Sequence, residues 1–139
     1  MGPHFNLYFE ACNPDKLEDE KNLTEFFKKF SEKFNFNQDG APVIFNCMHK
    51  ASEDSGLCAI ALFKNANIIV YLFPKLKQVF IGMFSLQEFD FEQFVGLAKE
   101  FFLPESYNVN FFSENSDFPT KIQNQAFPLD FSSQMNLPF

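Results

Sequence analysis

Phenylalanine fills 23 of the 139 positions and tryptophan none, and the spacing of these rings changes period along the chain. Over residues 4–11 (HFNLYFEA) Phe5, Leu7, Phe9 and Ala11 face one way, with His4, Asn6, Tyr8 and Glu10 opposite. A period of two over that length predicts a half-buried strand. Asn13-Pro14-Asp15 breaks it. Leu23, Phe26, Phe27, Phe30 and Phe34 then fall at helical spacing, with Lys28, Lys29, Glu32 and Lys33 outward. That pattern predicts an amphipathic helix, ending near 35–37, with Asp39-Gly40 as the turn after it. Apolar residues make up 46% of the chain. That is enough for one real core, which large flat rings can fill.

Four short strands are predicted next, at 43–49, 57–63, 68–73 and 78–84. The middle two flank Lys64-Asn65-Ala66-Asn67, a hairpin turn by its residue types. Asp90 is placed to cap a second helix running to about 102. Its apolar face takes in Phe91, Phe94, Val95, Ala98 and Phe101, Pro104 stops it, and 107–112 reads as a last strand. The order is β-α-β-β-β-β-α-β. Two helices on one face of a mostly antiparallel sheet give an α+β, two-layer sandwich. One domain is expected over 1–112, followed by a tail over 113–139. The tail carries Pro, Asn and Ser but also Phe118, Phe127, Phe131 and Phe139. Rings at that density are expected to pack on the domain or on a neighbour.

The charge pattern excludes whole classes of partner. All 11 basic residues are lysine, the net charge is -7 and the pI is about 4.7. An acidic surface repels nucleic acid and anionic lipid, and without arginine there is no planar fork to grip phosphate or carboxylate. Neither nucleic acid nor membrane is expected as a partner, and no apolar run approaches a membrane span. Cys12, Cys47 and Cys58 lie in apolar or strand-like stretches without CxxC spacing and read as buried thiols in a reducing compartment. With no leader-like opening, a cytoplasmic protein is expected. His4 and His49 are the two histidines. Cys47 lies close to His49, but no further ligand sits at a metal-binding spacing, so no metal is expected. Ser55-Gly56 lacks a nucleophile-elbow context and reads as a loop turn. Glu18, Asp19 and Glu20 read as a solvated helix start.

Several short motifs, in order, resemble the small prokaryotic S-adenosylmethionine decarboxylases. Gly2-Pro3-His4 stands where that family opens with Gly-x-His before its first strand, and Cys12-Asn13 closes the strand. His49 stands where the family's second strand ends, and Ser55-Gly56 stands at the end of the loop that follows. Phe73-Pro74 stands in place of the family's Trp-Pro, with a further strand after it. The resemblance covers roughly residues 2–112.

The resemblance implies a chemistry and also a set of losses. The family cuts its own chain between Glu and Ser at the hairpin. The carbonyl left from that Ser becomes a pyruvoyl group, which serves as an electron sink for decarboxylation. Counting back from Pro74, Asn65 stands for the Glu, Ala66 for the Ser and Asn67 for the following His. Residues 62–73 contain no Ser, Thr or Cys, so a small slip in placement changes nothing. The proton-moving His corresponds to Tyr71 and the catalytic Cys to Leu86. An aromatic residue near the family's substrate corresponds to Ala51, and an acidic residue of the first strand to Tyr8. Tyr8, His49, Ala51, Ser55 and Phe73 mark the ligand cleft that the resemblance implies.

No catalytic residue and no cofactor are therefore expected, and the first reading is a non-catalytic relative that binds a partner or a small ligand. The resemblance implies a homodimer. The alternatives are an inactive subunit tuning an active paralogue in spermidine synthesis, or an enzyme with different chemistry in the same cleft.

Overall fold

The computed structural model describes residues 2–46 and 55–112. Six strands form one sheet: β1 (His4–Glu10), β2 (Val43–Asn46), β3 (Leu57–Phe63), β4 (Ala66–Phe73), β5 (Gln78–Ser85) and β6 (Ser106–Phe111). They lie in the order β2-β3-β4-β5-β1-β6, and every neighbouring pair is antiparallel. Helix α1 (Glu20–Phe34) joins β1 to β2 and helix α2 (Phe91–Phe102) joins β5 to β6. The β-α-β-β-β-β-α-β order and the two-layer architecture are those read from the sequence.

Both helices are fixed at their ends by short polar side chains. The Asp19 carboxylate accepts the Lys21 amide at 2.9 Å. Asp90 accepts the amides of Glu92 and Gln93 at 2.9 and 3.3 Å. Each such cap satisfies donors the helix itself cannot pair. Asn35 and Leu103 end the helices in the left-handed conformation, at φ 59° and 50°. Asn tolerates that region, whereas Leu103 adopts it at a steric cost.

One face of the sheet carries the core. Phe5, Leu7 and Phe9 of β1, Val79, Ile81 and Met83 of β5, and Ile68, Val70 and Leu72 of β4 are all buried there. Phe26 and Phe30 of α1 and Phe94 and Phe102 of α2 fill the layer above. Rings meet mostly edge to face, as Phe26 and Phe102 do at 5.3 Å and Phe5 and Phe94 at 5.4 Å. That is the arrangement the ring quadrupole favours. Leu97 and Phe102 join the α2 face expected from periodicity, while Phe91 and Phe101 are only partly buried.

The structure departs from the sequence reading in three described places. The hairpin between β3 and β4 turns on Lys64 and Asn65 alone, because Phe63 already pairs with Ala66. Asn67 therefore lies in β4, exposed, between Leu62 and Phe84. A strand tolerates Asn where the side chain stays in water. The first strand ends at Glu10, and Ala11 turns out exposed at φ 53°. Tyr8, on the polar side of the β1 alternation, is nonetheless buried. His49, the expected end of the second strand, the cleft position Ala51, and the tail over 113–139 lie outside the described residues.

Candidate functional site

Among the described residues, both helices pack on one sheet face and none on the other. Strand register arranges the side chains of that other face in rows. One row runs Asn108, Tyr8, Phe80, Tyr71, Cys58, Phe45 from β6 across to β2. A second runs Asn110, Asn6, Gly82, Ile69, Ile60, Val43, and a third runs His4, Phe84, Asn67, Leu62. The face is polar over β6 and β1 and apolar from β5 to β2. The sequence-derived site residues fall into two groups on or beside it.

The first group surrounds the hairpin. The Asn65 carbonyl accepts the Leu86 amide at 2.8 Å, so those two positions sit side by side. The Lys64 amide donates to the Asn37 carbonyl at 2.9 Å, tying the turn to the chain that follows α1. Ala66 is buried toward the helices and pairs with Ser85. The Ser85 amide donates to the Pro3 carbonyl at 3.0 Å. The Ser85 hydroxyl donates to the Gln87 carbonyl and accepts the Gln87 amide. A Cβ on Gly2 would come within 2.1 Å of the Gln87 carbonyl oxygen. The close approach of Gly2-Pro3 to the loop carrying Leu86 therefore depends on glycine. Leu86 itself projects into water at 55% exposure.

The second group lies further down β4, roughly 17 Å from Ala66 at strand rise. Phe80 stands between the two tyrosines, 4.8 Å from the Tyr8 ring and 5.9 Å from the Tyr71 ring. Tyr71 stacks on Phe73 at 6.2 Å and 3°. Burial pushes the Tyr8 phenol up to about 12. Burial also raises Tyr71, with the neighbouring Cys58 and a hydrogen bond to it adding to the effect. Neither phenol ionises near neutrality, so neither serves as a ready base. Ser55 is buried just before β3, and a Cβ on Gly56 would meet the Leu72 carbonyl oxygen at 1.9 Å. Ser55-Gly56 is thus a packing joint against β4.

The structure brings Asn65, Ala66 and Leu86 together, and separately Tyr8, Tyr71 and Phe73. His49 and Ala51 lie outside the described residues. Phe80, Ser85 and Gln87 were missed from the sequence. The alternation of β5 carries the signal for Phe80, since Gln78, Phe80, Gly82 and Phe84 share one face. Among the described residues, no group of three His, Cys, Asp or Glu side chains could hold a metal ion, and no helix is long and apolar enough to cross a membrane.

The family model for S-adenosylmethionine decarboxylase matches residues 3–114. The chain belongs to the S-adenosylmethionine decarboxylase family. The crystal structure of the adenosylmethionine decarboxylase from Aquifex aeolicus VF5 superposes with a TM-score of 0.62. It is 11% identical and covers 84% of this chain and 97% of its own. At that identity the likeness is one of fold. A search of curated protein sequences found no match.

Within this family frame, the residues at the hairpin do not suit a pyruvoyl group. The resemblance expects a hydroxyl or thiol at this hairpin, and Ala66 offers a buried methyl. The register places Ser85 opposite, with its hydroxyl donating to and accepting from the Gln87 backbone.

Proposed function

We propose that this S-adenosylmethionine decarboxylase family member neither processes itself nor decarboxylates, and acts by binding. The observation that carries the reading is Ala66 at the start of β4, directly after the hairpin turn, where the resemblance expects the self-cutting Ser. An alanine has no nucleophile to attack the preceding carbonyl. Leu86, 55% exposed, has no proton to give where the resemblance puts the catalytic Cys, and Tyr71, whose phenol is raised by burial, is no ready base where the resemblance puts the proton-moving His.

The partner we infer is a second copy, in the two-fold arrangement the resemblance implies. Val43, Phe45 and Leu62, at 53%, 54% and 52% exposure, form an apolar patch at the β2–β3 edge of the helix-free face. Large apolar groups clustered at an open sheet edge are the kind of surface that association covers. We place this role in the cytoplasm, in keeping with the acidic charge and the lack of CxxC spacing among Cys12, Cys47 and Cys58.

The small-ligand side of the reading is tested by calorimetry with S-adenosylmethionine and its decarboxylated product. Without arginine to fork onto a carboxylate, and with Phe73 and Tyr71 where the resemblance expects Trp and His, affinity should be millimolar or weaker. That corresponds to about -4 kcal/mol or less of binding free energy. Micromolar affinity for either compound contradicts the claim and makes the protein a sensor of the nucleoside.

A further inference from the structure

The sheet ends on two unlike edges. Among the described strands, β6 pairs with β1 alone and β2 with β3 alone. β6 turns Val109 and Phe111 into the core and sets the half-buried Asn108 and Asn110 on the helix-free side. β2 exposes Val43 and Phe45 on that side, with Leu62 two residues beyond the Val43–Ile60 pair. Resting on the second copy proposed above as partner, the geometry points to a specific contact. β2 of one chain pairs with β2 of the second copy, antiparallel about a two-fold axis, and the two sheets run on as one.

An edge strand holds a row of backbone groups suited to pairing, since alternate residues point their amide and carbonyl away from the neighbouring strand. Edges that must stay single carry a lysine, an inward charge or a bulge. Val43–Asn46 carries none of these: its residues are VIFN, and its register with β3 runs without a break. Pro42, which has no amide to donate, marks where the pairable run begins. The Asn46 side chain donates to Glu20 at 2.9 Å, which ties the far end of the strand to α1.

Self-pairing also suits the facing of the side chains and the charge. Residues opposite each other in an antiparallel pair share a face. With the axis at Ile44, Val43 stands beside the second copy's Phe45 on the helix-free side. The two Ile44 side chains, each partly buried against its own core, meet on the helix side. A slip of one residue would set Ile44 against Phe45, which point to opposite faces. Each chain has a net charge of -7, so two copies repel. Residues 40–46 (GAPVIFN) and 57–63 (LCAIALF) contain no charged side chain, so these strands bring no like charges together. β6, by contrast, opens directly after Glu105.

The test is amide hydrogen exchange of the full chain, read by mass spectrometry above and below the association midpoint found by sedimentation. Backbone pairing protects amides, whereas docking through side chains alone leaves the β2 edge open to water. Peptides carrying the amides of Val43–Asn46 should exchange at least about tenfold more slowly in the associated state, and peptides from Ser106–Phe111 should change by less than about twofold. Association without slowing at Val43–Asn46 would overturn the pairing while leaving a second copy as the partner. Equally slow exchange there in the monomer would also overturn it, because the edge is then covered within one chain. A monomer at every concentration overturns the second copy as partner, and the pairing with it, so the two failures are told apart by sedimentation.

Discussion

Cys12 shows how a single buried residue makes stability depend on pH. Its amide donates to the Lys77 carbonyl at 2.9 Å. Burial first, and the nearby Glu10 second, push its thiol from 9.0 up to about 12. Below pH 9 the thiol is neutral in both folded and unfolded chains and its stabilisation is fully present. Between pH 9 and 12 the unfolded thiol ionises while the folded one stays protonated, so stability falls as pH rises. Tyr8 adds a loss of the same sign between 10.0 and about 12. Urea midpoints should decline from pH 9 upward, and Cys12→Ala should flatten the part of the decline between pH 9 and 10. Parallel curves for the two chains would contradict this account. Cys12 was legible in the sequence as a buried thiol. The burial of Tyr8 was not, because alternation assigns a face but says nothing about what covers that face.

At the scale of elements, the helices were read from phenylalanine spacing and from Asp90, and both features hold. The Asp90 carboxylate serves two amides, so Asp90→Ala should cost about 1 kcal/mol. It should lower the melting temperature by a few degrees with no change in the urea slope. A loss below a few tenths of a kcal/mol would show that α2 is held by Phe94 and Phe102 alone. The β3–β4 hairpin was located correctly but drawn too long. Asn65 and Asn67 both look like turn residues, and only cross-strand pairing with Leu62 and Phe84 assigns Asn67 to a strand. The approach of Gly2-Pro3 to Ser85 and Gln87 was out of reach from sequence, since it joins the start of β1 to the end of β5 through long-range pairing. The motif Gly2-Pro3-His4 was visible, but its physical reason was not.

At the scale of the whole molecule, a net charge of -7 spreads repulsion over the surface. Any self-association must therefore come from a local apolar patch. Sedimentation at micromolar concentration should show a species of about twice the 16.2 kDa chain. Phe45→Glu should weaken association at least tenfold, or about 1.4 kcal/mol. A monomer at all concentrations would contradict the second copy as partner, and a stable heteromer with an active family member would favour the regulatory-subunit role instead. The family resemblance was legible because short motifs kept their order along the chain. The proposed loss of the family chemistry rests on Ala66 and Leu86, where the residue type alone removes a nucleophile and a proton carrier.

Intact-mass spectrometry of the purified protein tests that loss most directly. The account predicts one unbroken chain of 16.2 kDa with an ordinary amide between Asn65 and Ala66. Two fragments, the second opening on a blocked pyruvoyl end near residue 66, would contradict it.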